Sequence, residues 1–358
     1  MLSKNGWITL RKKKKSDTMK YPTINFTGNK RKLVDWIHEN MPIKNGTILD
    51  IFSGGCSVSY MFKSNGFKVI SNDCLYANYV IAKAIIENNS VHIDKSVLNM
   101  DITQEELETE LNNIKFLSNK LYFDYELPEL AKLISISKKL TGYEKYLFLA
   151  LLRKAMIRKL PYSRMNIKWD KIVQLRNEEY SYKLYGRRRA YHNESFTKHI
   201  LDGIDEYNNA IFDNGLNCVA TNMDVMDIAN KIVHVDAVYL DPPYPGTTND
   251  YESFYGPFGT MFGLNQDILT DFTSKDTFLE KFEKLIEVLS TKTDYFIISL
   301  NTATNPPPSA MIDMLSKYGS VTSFETNHNY QLTGKANKTS SKELLIIVKL
   351  NKNSIKND

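Results

Sequence analysis

Short apolar runs bounded by turn residues alternate with longer stretches of helical spacing along most of this 358-residue chain. After Gly46, residues 47–51 read as a buried strand that runs into the glycine-bearing loop Ser53-Gly54-Gly55, and a helix is expected from Ser57. Residues 68–71 form a second strand ending at Asn72-Asp73, and residues 76–87 have the apolar spacing of a helix. Further strands are expected at 218–221, 237–240, 295–300 and 343–350, with amphipathic runs at 33–37 and 275–289. Strands alternating with helices predict an α/β fold with a parallel sheet covered on both faces, and ligands outside the carboxyl ends of its strands.

Between residues 88 and 217 the strand signal disappears and helical patterns take over, at 103–115, 128–140 and 143–160. We read 88–217 as an inserted, mainly helical subdomain, 20–87 with 218–358 as the main α/β domain, and 1–19 as a tail. Residues 153–198 are rich in Lys and Arg interleaved with Tyr162, Trp169, Tyr182, Tyr185 and Tyr191, and include Arg187-Arg188-Arg189. Cations among aromatics suit phosphate contacts and base stacking. The competing reading is a solvated helical face with core tyrosines, which the scarcity of glutamate there disfavours.

Net charge adds little, because a formal +5 permits a polyanionic partner without requiring one. The basic run from Arg11 to Lys15 reads as a solvated tail. Cys56, Cys74 and Cys218 are too few and too scattered for a disulfide framework or a zinc site, so an intracellular protein without metal is expected. No apolar stretch approaches the roughly 20 residues of a membrane span, and no signal peptide is evident, so the expected location is cytoplasmic.

Candidate chemistry gathers at strand ends. The apolar run Val238-Tyr239-Leu240 is followed by Asp241-Pro242-Pro243-Tyr244. Two prolines stiffen the turn and remove two donors, which leaves carbonyls free to accept hydrogen bonds. A carboxylate and a carbonyl can each take one proton of an exocyclic NH2 group while the tyrosine ring lies against the base that carries it. That arrangement suits an amino-methyltransferase, against the plainer reading of a proline-rich turn. Phe52-Ser53-Gly54-Gly55 lacks the spacing of a dinucleotide fingerprint, so a nucleoside with an amino-acid tail is the better guest. Asp73 stands where an acid grips ribose hydroxyls, or caps the next helix. Asp224 lies in a third strand-end segment, 220–224, and is a candidate for the cofactor's adenine amine; Asp227 competes with it. Upstream, Asn25-Phe26-Thr27-Gly28-Asn29-Lys30 offers a glycine turn and a lysine able to meet a carboxylate.

Taken in order, these segments resemble the Dam-like, D12 class of DNA adenine-N6 methyltransferases. In that family a glycine-and-lysine segment comes first, then an FxGG-type loop, a strand-end acid, a DNA-recognition insert and a DPPY turn. The resemblance implies a Rossmann-like class I methyltransferase sheet and S-adenosyl-L-methionine as cofactor. Phe26, Gly28, Lys30, Asp50, Phe52, Ser53, Gly54, Gly55, Asp73, Asp224 and Asp241 would line its pocket, and Asp241, Pro242, Pro243 and Tyr244 would form the catalytic turn. Double-stranded DNA is the implied partner, contacted by Tyr185, Arg187, Arg188, Arg189 and Tyr191, with a cognate restriction endonuclease as a further partner. Two positions depart from the pattern: Phe26 stands where tryptophan is common, and Asn29 where a second glycine is usual. The loop 245–262 looks similar to loops of restriction-modification methyltransferases. Cytosine-N4 methylation, RNA amine methylation and an inactive DNA-binding module on this fold are the alternatives. Cytosine-C5 chemistry would need a nucleophilic cysteine after a proline, which is not found.

Overall fold

The structure is a computed structural model that describes residues 20–247, 249–264, 270–327 and 342–351. The expected tail at 1–19, with its Arg11 to Lys15 run, lies outside them. Among the described residues seven strands form one sheet: β1 (Thr47–Asp50), β2 (Lys68–Asn72), β3 (Val219–Thr221), β4 (Val235–Leu240), β5 (Thr293–Asn301), β6 (Gly319–Asn327) and β7 (Lys342–Leu350). Their order is β3-β2-β1-β4-β5-β7-β6. The first five run parallel, whereas β7 inserts antiparallel between β5 and β6. The expectation of a wholly parallel sheet is corrected at this end, and β6 was not foreseen. As an edge strand it exposes Ser320, Thr322, Ser323 and Glu325, so no continuous apolar run marks it.

Helices fill both faces. They are α1 (Val34–Glu39), α2 (Ser57–Ser64), α3 (Tyr76–Ala82), α4 (Gln104–Ile114), α5 (Leu127–Lys139), α6 (Gly142–Arg158), α7 (Trp169–Arg176), α8 (Glu178–Tyr185) and α9 (Phe196–Asn208), then α10 (Val225–Lys231), α11 (Tyr251–Thr260), α12 (Phe278–Ser290) and α13 (Pro308–Leu315). The helix expected at 76–87 changes pitch after α3 into a π turn over Lys83–Glu87, where Glu87 accepts the Ala220 amide at 2.7 Å and the Tyr143 hydroxyl at 3.0 Å. That carboxylate ties β3 to the start of α6.

The two-residue period of the strands sorts their side chains into two cores. Ile48, Val69, Ala237, Tyr239 and Ile297 face α2, α3 and the helices between 88 and 217, with which they form one continuous cluster. Leu49, Val238, Leu240, Phe296 and Ile298 face α10, α12 and α13. The helical segment 88–217 therefore shares its core with one face of the sheet. Helix α6 is its centre, buried from Leu147 to Ile157. No described helix is long and apolar enough to cross a membrane.

Strand order reverses between β1 and β4, which makes the crevice beyond their carboxyl ends the expected ligand position. Asp50 is in register with both Ser71 and Tyr239. The loop after β1 and the turn after β4 consequently emerge side by side.

Candidate active site

Asp241 is the first residue beyond β4. The segment 25–30 crosses the same sheet edge, turning at Gly28 with φ +80° and leading through Lys30 into α1. This brings the Lys30 Nζ to 3.1 Å from Asp241 Oδ2 and 3.0 Å from Glu343 Oε1. Ser299 Oγ donates to the same Glu343 oxygen at 2.9 Å. Burial pushes Asp241 up to about 6; Lys30 pulls it down and Glu343 adds to the rise. The lysine beside a carboxylate was anticipated, but Glu343 was not. It is fully buried at the start of β7, about a hundred residues beyond Asp241. Its signal was there to read: a lone acid heading the apolar run Leu344 to Val348.

A pH profile follows from this triad. In the wild type at saturating cofactor, kcat/KM for DNA should fall as pH drops below about 6, where Asp241 takes up a proton, loses its charge and turns one oxygen into a donor. Lys30→Met removes the charge that holds Asp241 down and leaves Glu343 pushing it up, so the acid limb should move to higher pH. A limb that stays in place in this variant would assign it to another group.

The loop after β1 is shaped by glycine. Gly54 has φ +49°, and a Cβ there would stand 2.7 Å from the Phe26 ring. Its amide donates to Asp73 Oδ2 at 2.8 Å, while Leu75 donates to Oδ1 at 2.9 Å. Asp73 thus braces the loop and closes an Asx turn just before α3, whose N-cap is Leu75, with lone pairs remaining on both oxygens. Ser53 extends the ladder by donating its amide to the Asn72 carbonyl at 2.9 Å. Phe52 meets Phe272 edge to face, with ring centres 5.5 Å apart. Asp50 is buried; Oδ2 accepts Ser59 Oγ at 2.6 Å, whereas Oδ1 has no partner among the described residues. Burial pushes its carboxyl up to about 7, with Ser59 opposing and Asp241 and Asp73 adding to the rise.

Phe26 packs over the loop and is itself stacked against Tyr251 and Tyr255, at ring-centre distances of 5.5 and 5.1 Å. The Tyr255 hydroxyl accepts the Thr27 amide at 2.8 Å. Both tyrosines belong to α11, so the expected loop 245–262 is corrected: its middle is a helix. Gly256, Pro257 and Gly259 hid it from a sequence reading. It forms because Asp250 caps it by accepting the Ser253 amide at 3.3 Å and because Phe254, Tyr255 and Phe258 bury one face.

The catalytic-turn candidates are held firmly. Tyr244 is 4% exposed, its hydroxyl donates to the Ser299 carbonyl at 3.0 Å, and its ring centre lies 5.4 Å from that of Phe278. Pro242 is buried and Pro243 half-buried, and Asn249 donates to the Tyr244 carbonyl at 3.0 Å. Asp224, three residues beyond β3, is the N-cap of α10, accepting Met226 N at 2.9 Å, Thr270 Oγ1 at 2.8 Å and Thr270 N at 3.0 Å. Asp227 faces solvent one turn on.

The basic stretch divides in two. Arg153, Lys154, Lys159 and Arg176 are buried, and three of them are ion-paired: Lys154 with Glu206 at 2.6 Å, and Lys159 and Arg176 with Glu126 at 2.8 and 2.7 Å. Arg187 and Arg188 remain exposed. Arg189 lies 4.3 Å over the Tyr185 ring, Arg188 5.8 Å over Tyr182, and Arg158 4.9 Å over Tyr191. Tyr185 interacts electrostatically with Tyr162. Next to it, Ser163 accepts Asn25 Nδ2 at 3.0 Å and Met165 donates to the Phe254 carbonyl at 2.9 Å. The segment 162–165 beside Tyr185 thus contacts both the segment 25–30 and α11.

A sheet of this order, with an acid-proline-proline-tyrosine turn closing β4 beside a glycine loop closing β1, defines a class I methyltransferase. Residues 26–314 match the D12 class N6 adenine-specific DNA methyltransferases, and the chain belongs to that family. It is 43% identical over 333 residues to the Type II methyltransferase M2.HphI of Haemophilus parahaemolyticus, covering 92% of this chain and 98% of that protein. The modification methylase StsI of Streptococcus sanguinis is 27% identical over 279 residues, 71% of this chain and 39% of that protein. The Type II methyltransferase M.FokI of Planomicrobium okeanokoites is 40% identical over 72 residues, 19% of this chain and 11% of that protein. The protein is an adenine-specific DNA methyltransferase, with DNA as its substrate.

Proposed function

We propose that this chain uses S-adenosylmethionine to methylate the N6 amine of an adenine flipped out of double-stranded DNA, at a sequence read by the insert 88–217. The observation that carries this is the ion pair between buried Lys30 and half-buried Asp241 at the end of β4, which fixes a carboxylate where a planar amine can be held. When bound, S-adenosylmethionine supplies an electrophilic methyl group on a sulfonium. The residues fit that group. Asp50 Oδ1 is a buried acceptor with no partner among the described residues, suited to an ammonium. Gly54 and Gly55 keep their loop free of side chains beneath Phe26 and Gly28 turns the lysine segment, while Phe52 and Ser53 line the approach. Asp73 can accept from ribose hydroxyls and Asp224 from the adenine amine.

An adenine amine is a poor nucleophile, because its lone pair is delocalised into the ring. Asp241 accepts one amine proton and the Pro242 carbonyl the other, which favours a pyramidal nitrogen in line for displacement. Pro243 stiffens the turn, and Tyr244 anchors it through Ser299 and Phe278. With only 4% of it exposed, the ring packs into the core, which corrects the expectation that it stacks on the base. The amine becomes acidic only after methylation, so Asp241 orients it rather than deprotonating it beforehand.

Arg187, Arg188 and Arg189, with Tyr185 and Tyr191, are assigned to the DNA backbone. Replacing all three arginines with alanine should flatten the salt slope of DNA binding by roughly 2 to 3 units while cofactor affinity stays unchanged. Titrations at several salt concentrations check this; wild-type slope and affinity would return the cluster to a solvated face. The names of the relatives support a restriction-modification setting, and a cytoplasmic location and a partner nuclease belong to the proposal. Modification-sensitive sequencing of DNA from cells expressing the chain tests the whole reading. N6-methyladenine confined to one short sequence is the expected result, and unmodified adenine throughout would overturn it.

A further inference from the structure

Arg153 stands in the middle of α6 and is 1% exposed. Its Nη1 lies 3.5 Å from the Asn25 carbonyl, a contact at the limit of hydrogen bonding. Nε and Nη2 find no partner among the described residues. A guanidinium cannot shed its charge, and buried donors left unpaired on a cation are costly. The position therefore suits an acceptor supplied by a bound ligand.

Its neighbours say where that acceptor sits. The guanidinium carbon lies 4.8 Å from the centre of the Tyr255 ring, which is stacked on Phe26, and Phe26 packs over Gly54 and Gly55. The same charge favours the ionised forms of Asp73, which braces that loop, and of Tyr21, whose hydroxyl donates to the Gly55 carbonyl. Next to Gly55 is Cys56, the N-cap of α2, in a left-handed conformation with φ 63° and with no side-chain hydrogen bond to cap the helix. An unpaired guanidinium and the positive end of a helix thus border the glycine loop together.

We propose that Arg153 binds the α-carboxylate of the cofactor's amino-acid moiety. The assignment rests on the S-adenosylmethionine reading above. It also places a residue of the 88–217 segment in the cofactor pocket, so that the insert and the main domain complete that pocket jointly. A guanidinium and a carboxylate match in geometry, since two parallel N–H donors meet two oxygens. Asp50, with its free oxygen, then takes the ammonium of the same moiety.

The test uses calorimetry on the full-length protein with two ligands, S-adenosylhomocysteine and its decarboxylated analogue, which differ only in the carboxylate. Wild type should bind the first about 10- to 100-fold more tightly, the range expected for hydrogen bonds to a charged group. In Arg153→Met the preference should shrink to within about twofold, with affinity for the decarboxylated ligand kept; Arg153→Lys should restore part of it. Equal affinity of wild type for both ligands overturns the inference and leaves the cofactor reading intact, and this arm needs no variant to fold. Wild type binding neither ligand overturns the cofactor reading itself. A Met variant that folds, by its melting curve, yet loses affinity equally for both ligands shows a packing role and also overturns the inference.

Discussion

Asp241→Ala is expected to lower methyl transfer to DNA by about 100- to 1,000-fold or more, the scale on which loss of one preorganised polar group acts. The target amine then keeps no fixed acceptor beside the Pro242 carbonyl. The fold should survive, because the change strands no charge: Lys30 retains Glu343 at 3.0 Å, and one cation and one anion remain where there had been one cation and two anions. Asp241 is moreover a group whose ionised form already suffers from burial, as its rise to about 6 records. Asp241→Asn should lose less, since its amide oxygen still accepts one amine proton although the charge is gone. Transfer of a labelled methyl group to DNA measures activity, and thermal melting monitors the fold. Turnover near wild type in a folded alanine variant would remove this turn from the chemistry.

The parts of the site that were legible in the sequence are those whose chemistry is local. Asp241 to Tyr244, Phe52 to Gly55 and Asp73 each combine a strand end with residues that have little reason to stand there for packing alone. Six of the seven strands were legible for the same reason, as apolar runs bounded by turns. Partners that converge from far along the chain were not. Glu343 reaches Lys30 only because β7 folds back antiparallel beside β5, and nothing in a two-residue period announces direction. Tyr251 and Tyr255 lie four apart on one face of α11, yet the glycines and proline beside them suggested a loop. The basic stretch misled in another way. Charge is countable in sequence, but exposure is not, and Arg153, Lys154, Lys159 and Arg176 point inward, whereas Lys168, Lys183, Arg187, Arg188 and Lys198 lie at the surface.

Glu126 shows how strongly that inward charge bears on the insert, and Glu126→Ala should destabilise the protein by about 3 to 5 kcal/mol. Its carboxylate is 6% exposed and takes a bidentate bond from Arg176, at 2.8 and 2.7 Å, together with Lys159 at 2.8 Å. Burial alone would push Glu126 up, but the two cations outweigh it and hold its carboxyl below the usual range. Without it two cations stay buried, and Arg176 keeps only Asn193 Oδ1 at 3.1 Å as an acceptor for Nε. Glu126→Gln should cost less, because an amide oxygen still accepts from Arg176. The linkage sign distinguishes this pairing from simple packing. A depressed folded value means that the contribution is fully present above the unfolded value of ~4.3 and is lost as pH falls through the folded one. Wild type should therefore lose stability across that acid window more steeply than Glu126→Gln, with the two curves converging at the lowest pH. Urea melts between pH 3 and 7 read the difference. Parallel curves would mean that Glu126 acts by shape, and that the insert does not depend on its buried ions.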